Sequence, residues 1–346
     1  MVDLRPVLFV LGILLALLAA AMLAPAAVDA AMGGGDWSVF ILSAGLTFFI
    51  GVGLVLANRS AGASSLSLRQ AFLLTTLTWG VIGCFAALPF TLSSLHLDFT
   101  DAFFETVSGI TTTGSTVIAD LDAASPGLLL WRALLQWMGG IGIIAMAVAI
   151  LPILQVGGMQ IFRTESSDKS EKIKPRIQQI AGSIVKVYLT LSLACVVVLV
   201  ALGMPLFDAV CHAMAALATG GFSTEDASVG HFQSDGVEWA LAFFMFLGGT
   251  TFVAMAQVAQ GEPRALLADS QFRWYCAYIG IVIGMLTVWQ LVHRDTTLHD
   301  ALRSSAFNVV SIATTTGFAS EDYTLWGPLP IAAFFFITFI GGCTGS

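Results

Sequence analysis

The chain has 346 residues, 57% of them hydrophobic and only 10% charged, with a formal net charge of −8. Soluble domains carry about 25% charged residues, so this chain cannot cover a water-facing surface and must be solvated largely by lipid. The acidic balance excludes a nucleic-acid partner, because nothing here neutralises phosphates.

Gaps between charges mark eight long apolar runs: Pro6–Val28, Trp37–Asn58, Gln70–Leu97, Ala133–Phe162, Val187–Phe207, Trp239–Gly261, Trp274–His293 and Tyr323–Ser346. Each reaches the length of about 20 residues that a transmembrane helix needs. Three shorter charge-free runs, Thr106–Ala119, Ala209–Thr224 and Ser304–Ser320, each lie between two long ones. The order is a pair of long runs, then three units of long, short, long. The first run has a signal-peptide-like character in Arg5, its apolar core and Val28-Asp29-Ala30. Its apolar stretch exceeds the roughly 7–15 residues of a signal core, so it reads as a membrane span.

Lysine and arginine set the orientation. With the N-terminus cytoplasmic, the inner segments hold eleven of the fourteen basic residues and the outer side keeps Arg132, Arg294 and Arg303. The short runs must then enter from outside and return there. The predicted units are an N-terminal helix pair over 1–66 and repeated units over 67–160, 161–262 and 263–346, the last with its inner helix cut. Cys84, Cys195, Cys211, Cys276 and Cys343 lie in apolar runs without metal-ligand spacing and read as packing residues. No catalytic spacing falls inside a span, so no enzyme, cofactor or transition-metal site is expected.

The short runs are copies of one another. Phe104-Glu-Thr-Val-Ser-Gly-Ile-Thr-Thr-Thr-Gly114 matches Phe307-Asn-Val-Val-Ser-Ile-Ala-Thr-Thr-Thr-Gly317 at seven of eleven positions, and Cys211-His-Ala-Met-Ala-Ala-Leu-Ala-Thr-Gly-Gly221 is a weaker third copy. The aligned glycines are 107 and 96 residues apart, and each is followed 25, 27 or 24 residues later by a glycine pair, Gly139-Gly140, Gly248-Gly249 or Gly341-Gly342. A repeat of this length is a whole supersecondary unit, here outer helix, re-entrant hairpin, inner helix. Ala102–Ile110 reads as a short helix broken by the threonines and glycine. Irregular backbone at membrane depth survives where it is buried in protein or lines a water-filled path. A dehydrated cation can satisfy its free carbonyls. The helix C-terminus adds the negative end of its dipole, and glycine permits the φ that turns carbonyls inward.

The segment Ser108–Val117, the stretch Leu130–Gly142, Ala313–Phe318 and Gly341–Ser346 resemble the Trk/Ktr/HKT potassium transporters, most nearly the bacterial Trk membrane subunit. The resemblance implies an all-α polytopic membrane protein with helix–pore loop–helix units around a pseudo-fourfold, potassium-channel-like ion path. It implies potassium uptake across the cell inner membrane, passive or coupled to protons or sodium, with potassium as substrate and no cofactor. The implied partners are membrane lipid, a second copy of the chain, and a cytoplasmic nucleotide-sensing regulator. By the same resemblance, Thr112, Thr113 and Gly114 match the first filter, Thr219, Gly220 and Gly221 the second, and Thr315, Thr316 and Gly317 the third. Thr111, Ala218 and Thr314 flank them, Ala218 lacking a hydroxyl. Gly114 is the potassium-type form of the first filter. Gly341, Gly342, Cys343, Thr344, Gly345 and Ser346 match the start of an intramembrane gating loop.

A fourth filter glycine is expected roughly 95–110 residues after Gly317, since copies keep their spacing. The alternative expectation is therefore a non-conducting fragment of such a transporter. One position is polar in every hairpin: Glu105, His212 and Asn308, each nine residues before its glycine. Such residues are costly in a membrane without partners. They are expected to hydrogen-bond the filter backbone from behind, or else to be generic buried polar groups. Acidic residues follow each filter: Asp120 and Asp122, Glu225 and Asp226, Glu321 and Asp322. They form either a cation-concentrating vestibule or ordinary solvated loops. The polar segment Arg163–Lys186 serves as a positive-inside anchor; the resemblance makes it the regulator's docking site.

Overall fold

A computed structural model describes residues 3–61, 67–154, 173–262, 264–343 and 346. All regular elements among them are helical, as expected of a chain whose backbone must satisfy itself without water. They fall into two compact bodies, one of residues 1–110 with 115–135, the other of residues 111–114 with 136–346.

The first body begins with α1 (Arg5–Ala21), α2 (Leu23–Ala31) and α3 (Trp37–Asn58). The antiparallel α1 and α3 meet through Gly12 and Gly51: a Cβ on Gly12 would stand 2.7 Å from the Gly51 carbonyl oxygen. Small residues at a crossing let apolar helices approach closely, which lipid alone would not drive. The buried Asp29 carboxylate accepts from the main-chain N–H groups of Asp36 (2.8 Å) and Gly127 (3.0 Å) and so ties the turn after α2 to the start of a later helix. Next come α4 (Leu68–Ala86), opened by a Ser67–Gln70 capping box, and α5 (Leu88–Leu92), both packed on α6 (Phe99–Ile110). α7 (Pro126–Leu154) begins in this body, where Trp131 donates its indole N–H to the Ala86 carbonyl at 3.0 Å.

The second body holds α8 (Ile173–Ala201), α9 (Leu206–Leu217), α10 (Asp235–Gly248), α11 (Phe252–Ala259), α12 (Arg264–Ala268), α13 (Ser270–His293), α14 (Leu298–Ala313) and α15 (Pro328–Thr338). α8 packs on α9, α10 and α11, while α14 is held between α10, α13 and α15.

Among the described residues, five helical stretches are long and apolar enough to cross a membrane: Arg5–Ala31, Trp37–Asn58, Arg69–Leu92, Gly182–Ala201 and Ser270–His293. They correspond to five of the eight predicted runs. The run Trp239–Gly261 departs from expectation. It is not one straight helix but α10 and α11 bent by 99° across Gly249–Thr251. The Thr251 hydroxyl caps the second piece by accepting from the Ala254 N–H at 3.1 Å. Phe49, Trp274, Ile281 and Phe336 stand exposed on helix exteriors, as side chains solvated by lipid do. The protein is a multi-pass membrane protein.

Candidate functional site

The three short runs form the helices α6, α9 and α14, and each is followed by a threonine and then a glycine at positive φ. After α9 the chain takes a left-handed turn at Thr219 (φ 49°), and the Gly220 N–H reaches back to the Ala215 carbonyl at 2.8 Å. After α14 the equivalent turn is Thr315 (φ 62°), with the Thr316 N–H on the Ser311 carbonyl at 2.8 Å. This is a Schellman-type helix end, but threonine occupies the position that usually falls to glycine. Two residues later Gly114, Gly221 and Gly317 take φ of 80°, 76° and 87°; Thr112 (φ 56°) completes the set in the first hairpin. Every hairpin thus alternates the sign of φ across Thr111–Gly114, Ala218–Gly221 or Thr314–Gly317. Alternation brings successive carbonyls toward one side of the chain, where an extended strand would send them to opposite sides. Left-handed non-glycine residues are uncommon and concentrate where function demands them.

The hairpins of the second body adjoin in chain order through one repeated contact. A Cβ on Gly114 would overlap the Gly220 carbonyl oxygen, and a Cβ on Gly221 would overlap that of Thr316. Gly220 and Thr316 are aligned positions, each just before its hairpin's glycine. Gly114 and Gly221 are therefore required twice over, by φ and by this contact with the next hairpin.

Glu105, His212 and Asn308 are all fully buried. Glu105 accepts from the Thr116 hydroxyl (3.0 Å), the Val117 N–H (3.0 Å) and the Arg132 guanidinium Nε (2.7 Å). His212 pairs with the Ser223 hydroxyl at 3.0 Å and the Asp208 carbonyl at 2.8 Å. Asn308 donates to the Ser320 hydroxyl and the Ser304 carbonyl, both at 2.9 Å. Each thus grips the segment two or three residues beyond the glycine, not the filter backbone itself. Arg132, counted among the outer basic charges, is only 1% exposed and is neutralised by Glu105. The acidic residues beyond the hairpins have local partners: Glu225 with His231 at 3.3 Å and Glu321 with Arg294 at 3.3 Å. Asp322 caps the Thr324 N–H.

The TrkH family of cation transport proteins matches residues 38–346. The chain is 44% identical over 309 residues to the Trk system potassium uptake protein TrkI of Halomonas elongata, covering 87% of this chain and 63% of that one. It is 37% identical over 350 residues to the Trk system potassium uptake protein TrkH of Escherichia coli K12, covering 99% and 72%. The crystal structure of the potassium transporter TrkH from Vibrio parahaemolyticus superposes with a TM-score of 0.90 at 35% identity, over 100% of this chain and 72% of the other.

The chain belongs to the TrkH family. It spans between 63% and 72% of the length of these relatives.

In this TrkH-family chain the glycine pairs of the inner helices lie against the hairpins. Gly140 faces Ala218, with 3.3 Å for an added Cβ, and the Tyr188 hydroxyl at 2.8 Å. Gly249 faces the equivalent pair, the Thr314 methyl at 2.8 Å and the Tyr275 hydroxyl. Both tyrosines donate to a carbonyl three residues before the glycine, Tyr188 to Trp137 (3.1 Å) and Tyr275 to Phe246 (3.2 Å). The third copy breaks the helix early. α15 stops at Thr338, Gly341 turns left-handed (φ 69°) with its carbonyl accepting from the Tyr278 hydroxyl at 2.7 Å, and the Cys343 N–H donates to the Gly249 carbonyl at 2.9 Å. Gly342 is packed on that same carbonyl, while Thr344 and Gly345 lie outside the described residues. Also outside them is the 163–172 part of the polar segment Arg163–Lys186.

Sequence reasoning missed Arg132, Gln136, Tyr188 and Tyr275 as parts of this site. The first two lie within the stretch Leu130–Gly142 that carried the family resemblance, and an arginine and a glutamine on an otherwise apolar helix were the available signal.

Proposed function

We propose that this protein takes up potassium through a path lined by the backbone of Thr112-Thr113-Gly114, Thr219-Gly220-Gly221 and Thr315-Thr316-Gly317. The observation that carries this reading is the repeated alternation of φ in three aligned hairpins, two successive pairs of which meet through the same glycine-to-carbonyl contact. Carbonyls gathered in this way replace the water shell of a dehydrated cation. The C-terminal ends of α6, α9 and α14 add negative potential at the same level. Gly114, where sodium-preferring relatives carry serine, favours potassium over sodium. Glu105, His212 and Asn308 act as braces that hold the returning limb of each hairpin, after its glycine. The segment from Gly341 begins a gating loop, and the acidic residues after each hairpin draw cations to the outer mouth.

The setting we infer is the cell inner membrane with the N-terminus cytoplasmic, on the distribution of lysine and arginine. The protein works as a homodimer with a cytoplasmic nucleotide-sensing regulatory subunit, as the family resemblance implies. The test is ion flux in proteoliposomes under opposed potassium and sodium gradients. Potassium flux exceeding sodium flux supports the reading; equal flux of both ions, or none with the regulator present, overturns it.

A further inference from the structure

The second hairpin lacks three side-chain hydroxyls that lock the turn in the other two. In the first, the Thr111 and Thr113 hydroxyls bond each other at 2.8 Å, and the Ser108 hydroxyl donates to the Ser115 carbonyl at 2.6 Å. In the third, Thr314 and Thr316 bond at 2.7 Å and Ser311 donates to the Phe318 carbonyl at 2.6 Å. The aligned residues of the second hairpin are Ala218, Gly220 and Ala215.

Gln136 stands where the missing groups would be. It is fully buried, donates Nε2–H to the Gly220 carbonyl at 2.6 Å and accepts at Oε1 from the Phe222 N–H at 3.0 Å. Its carboxamide fills the space of a Gly220 side chain: a Cβ there would lie 2.7 Å from both Nε2 and Oε1. Gly220 is not among the glycines with positive φ, so backbone conformation does not call for it. The Gln136 amide does. The same position on the next inner helix, three residues before the glycine pair, is Met245, and the third hairpin beyond it carries its own threonines.

We propose that Gln136 is a positioning residue for ion selectivity, replacing in trans the hydroxyl lock that the second hairpin has lost. This rests on the filter reading above. The amide fixes Gly220 and Phe222 on either side of Gly221, and so sets how far the second hairpin stands from the ion. It also takes up one lone pair of the Gly220 carbonyl. The second hairpin therefore presents a weaker cation ligand at that level than its neighbours do.

The test measures potassium and sodium flux for Gln136→Glu, Gln136→Met and the triple variant Gln136→Met/Ala218→Thr/Gly220→Thr, with Gly221→Ala alongside. Gln136→Glu keeps the shape and the acceptor for Phe222 but loses the donor, and should lower the potassium-to-sodium ratio about tenfold, the worth of one buried hydrogen bond. The triple variant, carrying the hairpin's own threonine pair, should recover most of that ratio relative to Gln136→Met. A merely structural Gln136 would change protein yield while leaving the ratio alone, and an unchanged ratio in Gln136→Glu overturns the proposal. If Gly221→Ala also leaves the ratio unchanged, the filter reading itself fails; if only the Gln136 variants do, the role of Gln136 alone is lost.

Discussion

Glu105 and Arg132 form an ion pair at 2.7 Å with both side chains at most 1% exposed. The carboxylate has its remaining valences filled by Thr116 and Val117, which is the condition under which a buried charge is tolerated. Removing one partner deprives the other of its countercharge in a medium that cannot hydrate it. Glu105→Ala is expected to destabilise the protein by about 3–5 kcal/mol and to abolish flux. Glu105→Gln combined with Arg132→Met should be far milder than Glu105→Ala alone, because no orphan charge remains. Asp120→Ala, which removes an exposed side chain that accepts from the nearby Ala123 N–H, should change little. Thermal unfolding in detergent, with flux on the same preparations, ranks the three.

The glycine contacts between hairpins give a second expectation. Gly114→Ser places a side chain at φ 80° against the Gly220 carbonyl, so the two hairpins must part or the turn must rearrange. Potassium preference over sodium should fall. Gly221→Ala meets the Thr316 carbonyl in the same way and should cost flux as well. As a control, Gly53→Ala in α3 meets nothing within 4 Å, and by helix propensity it should be neutral or stabilising by up to about 1 kcal/mol. A Gly114→Ser protein with unaltered ion preference would remove Gly114 from the ion path.

A third expectation concerns a charge cluster in the second body. Arg303 bridges Asp235, Glu238 at 3.5 Å and Asp300 at 3.5 Å. Glu238 is the buried member, and one of its oxygens has no hydrogen-bond partner. Arg303→Met takes away the only basic side chain within ion-pairing distance of Glu238 among the described residues and should lower the melting temperature by several degrees. Glu238→Gln should offset much of that loss in the double variant. Asp235→Asn, at a half-exposed partner, should have little effect, as surface ion pairs contribute about 0–1 kcal/mol.

What the sequence made legible follows from what is local. The hairpins announce themselves because a helix end, a left-handed turn and a glycine are all written within a dozen residues, and three copies reinforce one another. The threonines at positive φ, Thr112, Thr219 and Thr315, were not foreseen, since glycine alone carries a left-handed signal. The burial of Arg132 was not legible, because charge counting assigns a residue to a side of the membrane and cannot see a partner 27 residues earlier. Gln136 reaches a carbonyl 84 residues away, a distance over which no periodicity speaks. The glycine pairs looked alike in sequence, yet α7 runs straight through Gly139-Gly140, α10 ends at Gly248 with a 99° bend, and α15 stops before Gly341. A glycine pair permits a break, and what surrounds it decides whether one forms.

The equivalence of Tyr188 and Tyr275 gives the last prediction. Each hydroxyl donates to a carbonyl of the neighbouring inner helix and fills the space beside a glycine, Gly140 or Gly249. An added Cβ at Gly249 would collide with the Tyr275 hydroxyl and come within 2.8 Å of the Thr314 methyl; at Gly140 it would come within 2.8 Å of the Tyr188 hydroxyl. Gly249→Ala and Gly140→Ala should each destabilise by about 1–3 kcal/mol through overpacking. Tyr275→Phe and Tyr188→Phe lose one hydrogen bond apiece, about 1 kcal/mol, but open the needed space. The paired variants should therefore be less damaged than the sum of their singles, with a coupling of about 0.5–3 kcal/mol as expected for residues in contact. Recovery should be more complete at Gly140, where the backbone is helical and the remaining neighbours stand at 3.3 Å, than at Gly249, where Thr314 still obstructs. Strict additivity in both cycles, measured by thermal unfolding, would mean that the tyrosine hydroxyls do not hold the inner helices against the hairpins.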